Sequence, residues 1–197
     1  KASTEQDGNS GMYYVCLGEL EILGVVAVTE PEPEPEEPAD TVEVPADATN
    51  VATGQQITST STYDWGGTSF PVGNMVDGDT AEGNGWVNDM VGENRLPARE
   101  CDITIDVTLD KLYTIYQVVI NPMGSMKHAF PASYEVLVST DNENWETIIT
   151  VVDGETIVTG PAIHGLAEAV DAKYFRIHIS KASTEQDGNS GMYYVCL

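Results

Sequence analysis

Three stretches limit what this chain can become: ITIDVTL at Ile103–Leu109, YEVLVST at Tyr134–Thr140 and YFRIHIS at Tyr174–Ser180. In the first, Ile103, Ile105, Val107 and Leu109 alternate with Thr104, Asp106 and Thr108. In the others Tyr134, Val136 and Val138, and then Phe175, Ile177 and Ile179, share one side. A period of two sends every second side chain to the same face of a pleated strand, so each run builds one face for a core and one for water. IYQVVI and TIITVV supply further runs, and Pro122, Gly124, DNEN before Trp145, and Asp153-Gly154 break them. Only HGLAEAV carries a weak helical period. Short strands at ~10-residue spacing predict an all-β fold, an antiparallel sandwich or jelly roll.

A second feature sets the boundaries. KASTEQDGNSGMYYVCL stands at Lys1–Leu17 and again at Lys181–Leu197, and only the first copy runs on into GELEILG, Gly18–Gly24. The copies begin about 180 positions apart, the length of a whole domain. The chain reads as an excerpt, cut out of register, from an array of near-identical modules, or as a terminal duplication. Between the first copy and the strand-rich body lies TEPEPEPEEPADTVEVPAD. Proline alternating with like charges gives an extended spacer rather than a core segment. Three parts follow: 1–24, the detached C-terminal strand of a preceding or swapped module; 25–47, an acidic Pro/Glu linker; and 48–197, a sandwich lacking its last strand.

The chain has 197 residues, 41% of them hydrophobic, and a formal net charge of -24. That is enough apolar material for one core. The charge excludes nucleic acid and anionic membrane as partners, because polyanions repel it, while abundant carboxylates suit divalent cations. Cys16 and Cys196 are one position in the two copies, so a module carries two cysteines, which either pair as Cys101–Cys196 or stay as thiols. No apolar run approaches the ~20 residues of a membrane span. The absence of any N-x-[ST] site fits a prokaryotic source.

NVATGQQITSTSTYD, NMVDGDTAEGNGW, ITIDVTLDKLYTIYQVVI, FPASYEVLVSTDNENWETI, YFRIHIS and GELEILG follow one another in an order that resembles the discoidin family, the coagulation factor V/VIII type C domains. The likeness is greatest to the bacterial carbohydrate-binding branch, with a galactose-binding-like jelly roll. The resemblance implies a structural Ca2+ held by the Met75 carbonyl, Asp77, Asp79 and Thr80, with Glu19 from the final strand closing the shell and Glu82 as a further candidate. A hard cation takes six or more oxygens, and a DGD turn supplies carboxylates and carbonyls close together. The bland alternative is that Asp77-Gly78-Asp79 is only a tight turn.

Sugar recognition needs a flat aromatic face and fixed polar groups. The loop candidates are Tyr63, Asp64 and Trp65, then Lys127, His128 and Phe130, with Tyr193 from the repeated tail. Trp65 beside Gly-Gly reads as exposed, Trp86 as packed near the metal loop and Trp145 as structural. Galactose-binding relatives commonly carry an arginine where this chain has Met123, so their specificity does not transfer; Lys127 is the available substitute, without the guanidinium fork.

No G-x-S-x-G, H-E-x-x-H, C-x-x-C or phosphate loop occurs, and no carboxylate pair stands out, so the chain reads as a non-enzyme. The expected function is an extracellular or cell-surface adhesion module of a tandem-repeat protein, binding a glycan or cell-surface polysaccharide. The alternative is a stalk or filament protomer whose partners are neighbouring identical modules or chains, joined by strand complementation through residues 18–24.

Overall fold

The computed structural model describes residues 11–12, 18–26, 41–65, 67–89, 100–124, 129–154, 160–183 and 187–188. The alternating runs are strands, and every strand pairing is antiparallel. In chain order they are β1 (Gly11–Met12), β2 (Leu20–Val26), β3 (Thr49–Asn50), β4 (Gln56–Ser59), β5 (Asp64–Trp65), β6 (Thr68–Ser69), β7 (Glu100–Ile120), β8 (Ser133–Ser139), β9 (Glu146–Val151), β10 (Ala162–Lys181) and β11 (Asp187–Gly188).

The long strands β7 and β10 run together from Ala162↔Ile120 to Lys181↔Glu100. Their register jumps between Gly165 and Val170 and again between Ala172 and Tyr174, where residues 109–112 of β7 face only Lys173. Such bulges bend and twist a ribbon, so one strand pair serves two layers. The first half of β7 pairs with β4, while β8 and then β9 extend this layer beyond β10. The second half of β7 pairs with β2, and β3 lies beyond it. Side chains of both layers meet in one core: Ile105, Val107, Val136, Phe175 and Ile177 from one, Leu20, Ile22, Ile115, Val118 and Ile120 from the other. Trp86 is fully buried and still satisfied, its Nε1–H donating to the Ser61 carbonyl at 2.9 Å and the Thr62 hydroxyl at 3.1 Å.

The opposite face of the first layer is polar. Arg176 grips Asp106 through two bonds of 2.7 and 3.0 Å and lays its guanidinium 4.4 Å from the ring centre of half-buried Trp145. That stacking gives Trp145 a place in the scaffold.

The N-terminal segment of the chain adds a strand to the sheet beside the second half of β7. β2 enters beside β7 with Leu20↔Ile120, Ile22↔Val118 and Val25↔Thr114 opposed. Leu20 and Ile22 point into the core because they alternate, and each contributes on the order of 2 kcal/mol of apolar burial. β2 continues through Val26, and on the far side of residues 27–40 the chain is already docked at Val42, whose N–H donates to the Leu166 carbonyl at 2.7 Å. Val42 packs against the core, so an apolar side chain outweighs the spacer composition around it. The two copies of the repeat also meet: β1 of the first pairs with β11 of the second.

Candidate functional site

Two neighbouring regions carry the residues expected to bind. The first is built around the 3-10 turn Val72–Val76 and the Asp77-Gly78-Asp79 loop that follows it. The Asp77 carboxylate accepts the Asp79 N–H at 2.8 Å, and Asp79 repeats the arrangement with the Ala81 N–H at 2.9 Å. Asn84 donates to both Asp77 oxygens at 3.0 Å and to the Asp79 carbonyl at 2.9 Å. Gly78 has φ +82°, a left-handed conformation that disfavours any side chain. Asp77, Asp79, Thr80 and Glu82 are exposed, while the Met75 side chain is fully buried, so its backbone carbonyl is the atom to consider as a ligand.

Glu19 stands at the root of β2, where its backbone is locked by the Asn121 N–H donating to its carbonyl at 2.7 Å. It is 2% exposed, and neither carboxylate oxygen has a hydrogen-bond partner. Burial first, then the charges of Asp77, Glu21 and Asp79, push its pKa from 4.5 up to about 7; the Gly78 amide offsets this in part without making a regular hydrogen bond. A buried, unpaired carboxylate facing further acids calls for a proton or a cation. Among the described residues no three His, Cys, Asp or Glu side chains form a ready ligand cage, so backbone carbonyls must complete any shell. With that addition the oxygen donors fit a hard cation.

The second region is the β5–β6 hairpin and the loop after β7. Asp64 opposes Ser69 and Trp65 opposes Thr68, and Gly67 turns the corner at φ +84°. The hairpin stands on Tyr63 and Phe70, whose rings lie 6.1 Å apart and pack against Val87, Met123 and Ala129. Met123 and Ala129 flank residues 125–128, so the Lys127–His128 loop and the Asp64–Trp65 hairpin spring from one small apolar cluster. Lys127, His128, Tyr193 and the side chain of Trp65 lie outside the described residues. The two regions also touch: a Cβ on Gly124 would come 2.9 Å from the Glu82 Cα.

One expected ligand residue is corrected. Phe130 is 3% exposed and packs edge-on against Tyr134, with ring centres 6.0 Å apart. It is a core residue, because the chain turns inward at Pro131–Ala132 to begin β8, and both of these are buried. Met123, at 2% exposed, likewise contributes only packing. Sequence reasoning missed Asp89, which sits half-buried beside the hairpin, its N–H donating to the Ser61 hydroxyl at 2.8 Å. Nothing in its neighbours VND marks it; only the pairing of Tyr63 N–H with the Val87 carbonyl at 2.8 Å brings it here.

A separate polar cleft of about 460 Å³ is lined by Asp47, Asn50, Gln55, Lys111 and Tyr113 among others. The Lys111 ammonium already lies 5.3 Å over the Tyr113 ring, so that aromatic face is not open to a sugar.

The sequence pattern of the F5/8 type C domain matches residues 56–193. The fold is similar to that of CBM32-3 from a family 31 glycoside hydrolase of Clostridium perfringens, at 22% identity and TM-score 0.52, covering 70% of this chain and 82% of that one. It is also similar to the family 32 module of NanJ from C. perfringens, solved with galactose, at 15% identity and TM-score 0.54, with 74% and 91% covered. A third likeness is to chitosan-binding module 2 of a Paenibacillus chitosanase/glucanase, solved with chitotriose, at 20% identity and TM-score 0.53, with 70% and 93% covered. No curated protein matches the chain.

Proposed function

This chain belongs to the F5/8 type C domain family, and from that we propose that it is a non-catalytic glycan-binding module of an extracellular adhesion protein built from tandem copies. The observation that carries the reading is the shared root of the hairpin and the Lys127–His128 loop in the Tyr63–Phe70–Met123–Ala129 cluster. A rigid base under two adjacent loops is what a sugar site requires, since the ligand then pays little to order it. Trp65 offers the flat face for the apolar side of a pyranose, and Asp64, Asp89, Lys127 and His128 hold hydroxyls. Solved neighbours bound to galactose and to chitotriose support the ligand class.

The net charge narrows the ligand. At -24 the module repels sulfated and uronate-rich polymers and favours neutral or amino sugars. Repetition then raises avidity without a better single site.

A structural Ca2+ belongs to the same reading. Glu19, Asp77 and Asp79, with the carbonyls of Met75 and Thr80, would hold it, and Glu82 borders the shell. The ion would supply positive charge to a buried acid and no chemistry. Glu19 is joined through Asn121 to the strand end that leads into the Lys127–His128 loop, so the cation would stiffen the binding end.

Affinity electrophoresis against galactans, chitosan oligomers and pectin tests the function. Retardation in a neutral or amino-sugar polymer that Trp65→Ala abolishes is the expected result. Unretarded migration in every one of them would remove the glycan reading.

A further inference from the structure

The way β2 is attached leaves open which sheet it enters. Gly24 opposes Thr49, a juxtaposition that a hairpin loop of two to five residues closes. Here β2 runs on through Val26, the chain is next docked at Val42, and residues 27–40 between them include TEPEPEPEEPAD. A stretch of that length reaches at most on the order of 50 Å. The acidic body repels the segment. Covalent connection therefore holds β2 near its own sheet without tying it there.

The pairing of β1 with β11 supplies an independent observation. Within each copy of the repeat, Asp-Gly and Gly-Met are separated only by Asn-Ser, the spacing of a two-residue hairpin loop. The structure pairs Gly11–Met12 of the first copy with Asp187–Gly188 of the second, so equivalent segments of the two copies lie against each other at the approach to β2.

The slot demands an occupant. Leu20 and Ile22 of β2 share the core with Ile115, Val118 and Ile120 of the strand beside it, and without β2 the 113–120 edge presents unpaired backbone groups and the core loses those two side chains. We propose that β2 is exchangeable, and that the slot beside residues 113–120 accepts Leu20–Val26 from a second copy of this chain. Reciprocal exchange closes two copies into a dimer, and one-way donation joins copies head to tail. Contacts in cis and in trans are the same, and protein concentration decides between them. A tethered segment competes at an effective concentration of order millimolar or below, and a stiff, self-repelling tether lowers it.

The test uses the full chain. Two wild-type preparations carrying donor and acceptor fluorophores are unfolded, mixed and refolded at about 5 and about 500 µM, concentrations chosen to lie well below the tether's effective concentration and close to it. Energy transfer, and a light-scattering mass of two or more chains, should rise with refolding concentration. The Ile22→Asp chain, whose donor strand would bury a charged group in the core, should lose this association at least ~10-fold when mixed with itself. As acceptor it should still capture a labelled peptide of Gly18–Val26. Wild type that stays monomeric and dark at both concentrations overturns the proposal whether or not the variant folds. So does association that Ile22→Asp leaves intact.

Discussion

Replacing Glu19 by Gln turns its burial into a measurable sign change. The folded-state pKa is raised from 4.5 to about 7, so the folded protein keeps a proton that the unfolded chain has released. The associated stability is fully present below pH 4.5 and is lost as pH rises through 7. The difference of 7 − 4.5 = 2.5, at about 1.36 kcal/mol each, is about 3 kcal/mol by pH 8. For a domain of this size that is a shift of about 6–12 °C in Tm. Gln removes the ionisation, so in EDTA at pH 8 the Glu19→Gln variant should melt above wild type by about that amount. At pH 4 the two should nearly coincide. Calcium should reverse the order at pH 8, because the ionised wild-type carboxylate gains a partner and the amide does not. Differential scanning calorimetry in four buffers, with calcium or EDTA at either pH, gives the comparison. A wild-type Tm at pH 8 that ignores calcium, together with a variant that melts no higher in EDTA, would refute both the burial argument and the cation site.

Other perturbations have distinct signatures. Trp65→Ala should abolish glycan retardation in affinity electrophoresis while shifting Tm by no more than about 1–2 °C, since the hairpin root stays intact. Gly124→Ala forces a Cβ against the Glu82 backbone and should cost about 1–3 kcal/mol in urea unfolding, with weaker glycan binding as the adjoining loop moves. His164 is partly buried, and burial lowers its pKa below 6.5. Its contribution is therefore complete above pH 6.5 and falls away as the pH drops through the lowered value; Tm curves of wild type and His164→Gln should converge in acid and differ in slope there. Tyr134→Phe removes the hydroxyl 2.8 Å from His164 Nε2 and should cost about 1 kcal/mol by denaturant titration.

Much of the sandwich was legible because its inner residues alternate without interruption in Ile103–Leu109, Tyr134–Val138 and Phe175–Ile179. The continuity of β7 and β10 was not, because residues 109–112 fall out of register between the runs ITIDVTL and IYQVVI, and HGLAEAV at the start of β10 carries a weak helical period. Phe130 misled for a local reason. An aromatic between a Gly-containing loop and a proline reads as exposed, and only the inward path of Pro131–Ala132 hides it. Val42 misled in the opposite sense, since acidic neighbours conceal one side chain that finds the core. Glu19 was legible by resemblance alone; its two unpartnered oxygens are a property of depth, which no local pattern records. Asp89 reaches the binding end through pairing across a distance in sequence, and that is invisible before the fold is known.

Setting the buried carboxylate at the root of β2 also fixes an order of events. Seating the strand with Glu19 ionised and alone costs about 3 kcal/mol by pH 8, so closure is favoured by taking up a proton or an ion. Where free calcium is scarce, β2 should dwell longer outside its slot and be available to other sheets. Where calcium is plentiful, the strand that arrives first should stay. The same side chain would then act as a timer, set by the medium in which a newly made chain finishes folding.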